Sequence, residues 1–418
     1  MRSTHGGWTR RAILKRSALA AGLAIVPRHV LGAGQSPPSE TLAAGLIGCG
    51  GQAGEDLESY IRHAGGEYRL LAACDVDKTR LAAARKRFGE HLALYTDWRR
   101  LVERKDIDVV SIATPPHWHA LMCIGAAQAG KDILCEKPMT RFIAEGRAVV
   151  NAVKRYGRVF QIGTGGRFGA QKSHVSRLIH KIMRSGLLKK CPAVYIQRGG
   201  FPVQEYCGRV DLKPEPVRES LDWDMYCGPS PLRPYHPHRF GVSHRFYWDY
   251  EGGGLADFAQ HYMDPFQWIY AKDDTSPVEV EACAAPQHPE ACGLWAWVEL
   301  KYADGLTLVL EGAKWGPCYD RAQPRHVSLD DLDEESRKKV QAMPDPEPLL
   351  SFVEAVKTRK QAGGHVEAAH RAITIAHLAN IAIRLGRKIR YDPVKEEVIG
   401  DEAANRLVNQ PMRQPWHL

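Results

Sequence analysis

The sequence predicts an α/β protein with an N-terminal Rossmann domain on a parallel sheet and a C-terminal α/β domain with an open, mainly antiparallel sheet. Two observations lead to this fold class. Up to residue 165, short apolar runs alternate with amphipathic helical stretches, which indicates a parallel sheet covered on both faces. Further along the chain, polar and apolar residues alternate within the runs, and a hairpin turn joins two of them, which is typical of antiparallel strands.

The first 34 residues are predicted to be a twin-arginine export signal, and residues 35–41 a linker. Arg10-Arg11 precedes an apolar stretch from Ala18 to Val26, which small residues follow. The stretch is about half the ~20 residues that a membrane-spanning helix needs, so no integral membrane segment is expected. The alternative is a basic amphipathic helix. An exported protein of this kind is expected in the periplasm or another extracytoplasmic space.

The charge of the chain is concentrated in this leader. The 418 residues contain 57 basic and 48 acidic side chains, a net charge of +9. Residues 1–34 hold six of the basic residues and no acidic residue, so the remainder carries 57 − 6 = 51 against 48, or +3. A body so close to neutrality does not indicate a nucleic-acid partner.

The ten cysteines form no Cys-x-x-Cys pair; Cys49 lies in the glycine loop, and Cys74, Cys123 and Cys135 lie in or beside predicted core strands and a helix. We therefore expect buried thiols, with Cys207 and Cys227 as the one pair that could form a disulfide.

The Rossmann domain is predicted over residues 42–165 and a second, substrate-binding α/β domain over 166–418, for which the family resemblance given below also implies oligomerisation. In the first domain, strands are predicted at 42–47, 70–75, 109–114, 133–135 and 159–163, with helices at 78–88, 120–129 and 144–156. In the second, helices are predicted at 171–185, 347–359 and 366–386, strands at 193–198, 278–284, 294–302 and 306–311, and irregular chain at 400–418. Residues 199–250 are long, irregular and rich in aromatic residues, which favours a substrate-binding surface.

A glycine loop of the form Gly-x-Gly-x-x-Ala follows the first predicted strand, from Gly48 to Ala53. Such a loop lets the backbone approach a pyrophosphate at a helix N-terminus. Asp75 ends the next strand, 25 residues after Gly50, where a carboxylate can bind the adenosine ribose; the alternative is a solvated turn. A carboxylate there repels a 2′-phosphate, so NAD is expected as the cofactor, with NADP less favoured.

Further cofactor-binding candidates lie at the carboxyl ends of the later strands, where ligands bind in such sheets. His117 and His119 lack a third ligand at suitable spacing, so no metal site is predicted. The full set of cofactor-binding candidates is Gly48, Gly50, Gly51, Gln52, Ala53, Asp75, Thr114, Pro115, His117, His119, Glu136, Lys137 and Gln161.

Three residues are candidates for catalysis. Proline at 138 holds Lys137 extended toward the cleft, and the three glycines at 252–254 begin a helix on which Asp257 and His261 share a face. The alternatives are a solvated lysine, an ion pair within the helix and a core histidine.

Taken together, these motifs resemble the glucose–fructose oxidoreductase / inositol dehydrogenase (Gfo/Idh/MocA) family. The glycine loop, Thr114-Pro115, Glu136-Lys137-Pro138 and the triglycine segment with Asp257 and His261 occur in family order from residue 42 onward. The leader, Leu221-Asp-Trp-Asp224…Gly228-Pro229-Ser-Pro231 and the tail Gly400-Asp-Glu…Pro415-Trp416 resemble its exported, twin-arginine subgroup. The resemblance implies Lys137, Asp257 and His261 as catalytic residues and a homodimer or homotetramer formed through the open sheet.

The function implied is an exported oxidoreductase that oxidises a secondary hydroxyl of a sugar or glycoside with tightly bound NAD. His261, oriented by Asp257, would be the base, and Lys137 would polarise or deprotonate the hydroxyl; the residues leave open which of the two is the base. One alternative is a redox-neutral glycoside hydrolase, which oxidises the sugar, eliminates the aglycone and then returns the hydride to the sugar. A second alternative is a non-catalytic nucleotide-binding sensor.

Substrate contacts are expected from aromatic faces that stack on sugar C–H surfaces and from basic side chains that bind hydroxyls. The candidates are Arg167, Arg198, Tyr206, Tyr235, His238, Arg239, His244, Tyr247 and Trp248.

Overall fold

The structure, a computed structural model, describes residues 40–196 and 200–418. The predicted leader, residues 35–39 of the predicted linker and Arg198 lie outside the described residues. Leu42–Leu418 form one compact unit. Over the described ranges, no helix combines the length and the apolar character needed to cross a bilayer.

The N-terminal half contains six strands, each followed by helical chain. Its elements are β1 (Thr41–Ile47), α1 (Glu55–Leu57, continued by a π-helical turn Glu58–Arg62), β2 (Glu67–Cys74), α2 (Lys78–Phe88), β3 (Ala93–Tyr95), α3 (Trp98–Val102), β4 (Val109–Ile112), α4 (His119–Gln128), β5 (Asp132–Cys135), α5 (Ile143–Arg155) and β6 (Phe160–Ile162).

These strands form a parallel sheet in the order β3-β2-β1-β4-β5-β6. The order reverses between β1 and β4, and such a switch point opens a crevice at the carboxyl ends of the strands. The four residues of β4 and of β5 are all buried, because helices cover both faces of the sheet. The predicted parallel Rossmann sheet is therefore confirmed.

The C-terminal half adds a second sheet and more helices. Its elements are α6 (Gly166–Lys172), α7 (His174–Ser185), β7 (Ala193–Tyr195), α8 (Trp223–Cys227), α9 (Gly253–Ile269), β8 (Glu279–Ala284), β9 (Trp295–Lys301), β10 (Thr307–Glu311), α10 (Glu334–Ala342), α11 (Phe352–Thr358), α12 (Val366–Leu385), β11 (Ile389–Asp392), β12 (Glu397–Val398) and α13 (Glu402–Val408).

The second sheet has the order β12-β11-β8-β9-β10-β7 and is antiparallel except for the pair β10 and β7. The predicted mainly antiparallel sheet is confirmed. Helix α12 packs between this sheet and the Rossmann helices, since it contacts β8, α5 and α9. Phe352 and Val353 of α11 belong to the same apolar core as Leu46 of β1. The C-terminal segment thus returns to stabilise the domain that carries the glycine loop.

Several predicted elements were wrong in detail. The helix predicted at 171–185 is two helices, because Ser173 has an extended backbone (φ −77°, ψ 123°) and its side chain caps α7. The tail predicted as irregular contains α13, which Asp401 caps through the amide of Ala404. Strands β3, β11 and β12 and helix α10 were not predicted. The three strands have only two to four residues, too few for a periodic pattern.

Candidate active site

The glycine loop connects β1 to α1 at the switch point of the sheet. Gly48 has φ 93°, and a Cβ atom there would lie 2.6 Å from the carbonyl oxygen of Ala113, so only glycine fits. A Cβ atom on Gly51 would meet no atom within 4 Å, so this side of the loop is open to a ligand. Gln52 and Ala53 continue the loop into α1, whose N-terminus favours negative charge.

Asp75 supports this loop with one carboxylate oxygen and the turn that follows β2 with the other. Oδ2 accepts the amide of Cys49 at 2.8 Å, and Oδ1 accepts the amide of Asp77 at 2.9 Å. Burial raises the pKa of the Asp75 carboxyl, while the Cys49 amide and the charge of Arg80 act in the opposite direction. The carboxylate is therefore committed to the loop, yet it also faces a cavity.

We call it the Asp75 cavity. It lies beside the ends of β1, β2 and β4, and much of its wall is apolar. Its lining includes Gly48, Asp75, Arg80, Trp98, Thr114, Pro115, Trp118, Met122, Met225 and Tyr226. This lining suits a flat, largely apolar ring system that lies beside the Asp75 carboxylate, such as the adenine of a dinucleotide.

The structure places His117 and His119 behind the cavity rather than in its lining. His117 is fully buried, and its Nε2 lies 2.8 Å from the carbonyl of Tyr226. The ring of His119 bridges the carbonyls of Thr114 (2.7 Å) and Pro138 (2.9 Å), and burial lowers its pKa to about 4. Both histidines support the loop that follows β4, and Trp118 between them is one of several cavity residues that sequence reasoning missed, as are Arg80 and Tyr226.

On the other side of the glycine loop lies the Glu136 cleft, a space of about 780 Å³ lined by Gly51, Gln52, Asp56, Glu136, Gly163 and Thr164 among others. Asp56 and Glu136 form a hydrogen-bonded carboxyl pair in its wall. Burial and the neighbouring Glu136 raise the pKa of Asp56 well above its ordinary value, so the pair holds a proton. Gln161 does not face this cleft: its side chain accepts the amide of Gly364 at 3.0 Å.

Lys137 follows Glu136 and meets α9, 120 residues further along the chain. Its Nζ donates to Oδ1 of Asp257 at 2.7 Å and to the Asp257 carbonyl at 3.0 Å. The start of α9 makes this approach possible. Gly252 and Gly253 have φ of 148° and 76°, and a Cβ atom on Gly254 would lie 2.2 Å from the carbonyl oxygen of Pro202. The three glycines therefore allow the start of the helix to pack closely against the segment around Pro202.

Three side chains contact the carboxylate of Asp257. Besides Lys137, the hydroxyl of Tyr206 donates to Oδ2 at 2.7 Å, and Nε of Arg245 lies 3.3 Å from Oδ1. Burial raises the pKa of Asp257, but Lys137 and Arg245 outweigh it and leave the pKa below its ordinary value. Asp257 is therefore an anion that holds its neighbours in place. Tyr206 was predicted as a substrate residue, whereas Arg245 was missed.

His261 lies one turn further along α9, close enough to Lys137 for the two charges to interact. Burial and the charge of Lys137 lower the pKa of His261 below 6.5, so the imidazole is neutral at pH 7. We expected Asp257 to orient His261, but in the described ranges no hydrogen bond joins the two. Asp257 instead pairs with Lys137, because that lysine reaches the helix from β5.

Most of the other predicted substrate residues are engaged elsewhere. Arg167 is 1% exposed and pairs with Asp264 (2.9 Å) and Asp273 (2.6 Å), so its guanidinium is committed to the interior. Arg239 pairs with Glu290 at 2.9 Å. Tyr235, Tyr247 and Trp248 are buried, and His238 lies 2.7 Å from the Tyr247 hydroxyl.

His244 is linked to Asp257 through two side chains, Glu251 and Arg245. Its Nε2 lies 3.1 Å from Oε2 of Glu251, which is also 3.8 Å from Nε of Arg245. Of the predicted substrate residues, the structure thus connects Tyr206 to Asp257 directly and His244 to Asp257 through Glu251 and Arg245. The spacing of these residues in the sequence contains no signal for that connection.

None of the ten cysteines forms a disulfide, Cys207 and Cys227 included, and six of the ten are buried. No group of three or more potential ligands for a metal ion occurs in residues 40–196 and 200–418.

The chain matches one oxidoreductase family along most of its length. Residues 42–164 match the domain described as Oxidoreductase family, NAD-binding Rossmann fold, and residues 172–418 match the domain described as Oxidoreductase family, C-terminal alpha/beta domain. Both belong to the Gfo/Idh/MocA group.

Individual relatives match over shorter segments. A levoglucosan dehydrogenase of Pseudarthrobacter phenanthrenivorans is 49% identical over 73 residues, 18% of this chain and 18% of that protein. A glycosyl hydrolase family 109 protein of Solibacter usitatus is 30% identical over 162 residues, 34% of this chain and 36% of that protein. The chain thus matches well under two thirds of the length of these curated relatives.

Among solved structures, the WlbA dehydrogenase from Bordetella pertussis, in complex with NADH and UDP-GlcNAcA, aligns with a TM-score of 0.55. Sequence identity is 16%, and the alignment covers 84% of this chain and 98% of that one. This similarity shows a shared fold over both halves of the chain.

Proposed function

Because the chain belongs to the Gfo/Idh/MocA oxidoreductase family, we propose that it oxidises a secondary hydroxyl group of a sugar or glycoside and passes the hydride to NAD. The observation that carries this proposal is the cluster of Lys137, Asp257 and His261 next to the Glu136 cleft. The levoglucosan dehydrogenase among the relatives supports a carbohydrate substrate.

The residues at the carboxyl edge of the sheet fit NAD. The Asp75 cavity would hold adenosine, the amides of the glycine loop would bind the phosphates, and the Glu136 cleft would hold the nicotinamide half. When bound, NAD supplies a hydride acceptor. The protein residues then have to bind the sugar, orient its hydroxyl and remove the hydroxyl proton.

The structure favours His261 as the base. Its imidazole is neutral at pH 7 because burial and the charge of Lys137 lower its pKa. Lys137, held on Asp257 as an ion pair, is suited to donate a hydrogen bond to the hydroxyl oxygen and to stabilise negative charge that develops there. Tyr206 and Arg245 keep the Asp257 carboxylate in place.

Mass spectrometry of products tests this function. The purified protein, with its bound nucleotide, is incubated with a panel of free sugars and glycosides. A product lighter by two hydrogens together with newly formed NADH is the expected result. If no sugar or glycoside in a broad panel is changed while the nucleotide stays bound, the proposed oxidation is wrong.

The similarity to a glycosyl hydrolase family 109 protein favours a redox-neutral glycoside hydrolase as the second candidate. Such a cycle needs a second group that transfers protons, and Tyr206, next to Lys137 and Asp257, offers a hydroxyl for this purpose. A cleaved glycoside with no net change in bound NAD would identify this reaction in the same experiment.

We further propose that residues 1–34 direct twin-arginine export and that the protein works as a homodimer or homotetramer. The arginine pair and short apolar stretch support export, and the second sheet offers a surface for assembly. Replacing Arg10 and Arg11 by lysine should leave the protein in the cytoplasm by cell fractionation, and light scattering should give a mass of two or four chains. Unchanged fractionation or a monomer mass would contradict the respective proposal.

A further inference from the structure

Two segments that resemble the exported subgroup take no part in the proposed chemistry. The first runs over residues 218–231 and contains Leu221-Asp-Trp-Asp224; we call it the strap. The second is the C-terminal tail, residues 411–418, which contains Pro415-Trp416. Almost 200 residues separate them in the sequence, yet the structure brings them together at the rim of the Asp75 cavity.

The strap binds the turn that follows β2. The amide of Lys78 donates to the carbonyl of Ser220 at 2.9 Å, and the amide of Asp222 donates to the carbonyl of Val76 at 3.0 Å. Arg218 pairs with Asp77 at 3.0 Å. This turn carries Asp75, so the strap is attached directly to the polar end of the cavity.

The strap also binds the loop that follows β4. Nε1 of Trp118 donates to the carbonyls of Met225 and Tyr226, both at 3.1 Å. The ring of His117 lies 2.8 Å from the same Tyr226 carbonyl. Because Met225 and Tyr226 themselves line the cavity, the strap forms one of its walls.

The tail holds the strap from outside. Arg413 pairs with Asp224 at 2.7 Å and donates to the carbonyl of Gly228 at 2.9 Å. The ring of Trp416 packs edge-on against Trp118, with 4.8 Å between the centroids, and Arg99 lies 5.2 Å from the Trp416 ring. The tail thus joins the strap to a residue of the opposite cavity wall.

We propose that the strap and the tail together close the adenosine end of the NAD site and hold the cofactor between turnovers. The inference rests on NAD as the cofactor, but not on which sugar is oxidised. A ligand in the Asp75 cavity that leaves on the strap side has to displace Met225 and Tyr226. Trp118 binds their carbonyls, and Arg413 binds the flanking residues Asp224 and Gly228, so the tail limits the rate of release.

This arrangement suits a protein exported to a compartment without a pool of soluble NAD. A cofactor loaded before export must remain bound through many catalytic cycles. An enclosure built from two segments far apart in sequence forms only when the chain is fully folded. Loading is therefore expected during folding and exchange is expected to be slow afterwards.

The rate of NADH release tests the proposal without any sugar. Protein loaded with NADH is mixed with a large excess of NAD, and the decay of NADH fluorescence gives the release rate. Arg413→Met and Trp416→Ala are compared with Arg406→Met, a matched control whose exposed side chain pairs with Glu402 on the same helix. We expect release to be about tenfold faster or more in the first two variants and unchanged in the control.

Thermal unfolding of each variant shows whether the fold is intact, and Trp416→Ala, at a half-buried position near the chain end, remains informative should Arg413→Met fail to fold. Release at the wild-type rate in folded Trp416→Ala overturns the proposal. Faster release in the control as well would also overturn it, since the effect would not be specific to the tail. Failure of the proposed oxidation would be distinct, because it would leave these release rates unchanged and abolish only the conversion of sugars.

Discussion

At the scale of single residues, Lys137 affects the charge state of the site through two neighbours. Its ammonium group forms an ion pair with Asp257, and its positive charge lowers the pKa of His261. In the proposed reaction the two residues have different tasks: the neutral imidazole of His261 accepts a proton, while the ammonium group of Lys137 stabilises developing negative charge.

The pH dependence of kcat/KM tests this division. His261 has to be neutral to accept a proton, so the acid limb of the profile should lie below pH 6.5. Lys137→Met removes the charge that lowers the pKa of His261, so the acid limb should move to higher pH. His261→Ala should lower kcat by about 10²- to 10⁴-fold while NAD stays bound. An acid limb in Lys137→Met that stays in place or moves to lower pH would contradict the assignment.

Arg245 provides a second test at this scale. It shares Oδ1 of Asp257 with Lys137 and lowers the pKa of that carboxyl. Arg245→Met should raise the pKa of Asp257 and reduce kcat/KM about tenfold, most strongly at low pH, where the carboxyl becomes protonated. The control is Arg209→Met, an exposed arginine that pairs with Asp211. Equal losses in the two variants would show that Arg245 has no specific role.

At the scale of elements, α9 is the helix on which the site depends. It carries Asp257 and His261, and its N-terminus lies close to the carbonyl of Pro202 and to Asn380, which donates to the Gly252 carbonyl at 3.1 Å. Its approach to Lys137 depends on three glycines in a row, since a side chain at any of them would meet other atoms or an unfavourable φ.

Gly254→Ala should therefore destabilise the protein and displace α9. The added Cβ atom would lie 2.2 Å from a backbone oxygen, and overpacking of this kind costs about 1–3 kcal/mol. Gly169→Ala in α6 is the matched control, because its Cβ atom meets nothing within 4 Å and alanine favours a helix by about 1 kcal/mol over glycine. Urea denaturation measures both. Equal stability of the two variants would contradict this account of α9.

At the scale of the whole molecule, burial of neutral histidines connects stability to pH. Burial lowers the pKa of His119 to about 4 and that of His377 to about 3. Below pH 6.5 each of these two histidines binds a proton more readily in the unfolded state than in the folded state. Each therefore lowers the free energy of unfolding as the pH falls from 6.5 toward the folded-state pKa. Asp56 acts in the opposite direction, because its raised pKa means that the folded state binds the extra proton.

A comparison of wild-type protein with His377→Gln measures the contribution of His377 to the pH dependence of stability. Between pH 7 and pH 5, wild-type protein should lose about 2 kcal/mol more of its free energy of unfolding than the variant does, since each pH unit below 6.5 contributes about 1.4 kcal/mol. Urea denaturation at the two pH values gives this difference. The same pH dependence in both proteins would show that His377 is not held neutral in the folded state.

The sequence by itself determined the features that depend on neighbours along the chain. The order of β1, β2, β4, β5 and β6, the helix limits at 78–88, and the glycine loop with Asp75 follow from apolar periodicity and from the steric freedom of glycine. The resemblance to the family added Lys137, Asp257 and His261, and the structure brings these three together.

Only the tertiary structure decided which side chains meet across long stretches of sequence. It paired Asp257 with Lys137 rather than with His261, buried Arg167 against Asp264, and brought the tail onto the strap. Local patterns report which face of a helix or strand is apolar, but not which of several possible partners reaches a given carboxylate. That choice depends on the packing of whole elements, and a charged side chain adopts the buried pairing that packing makes available.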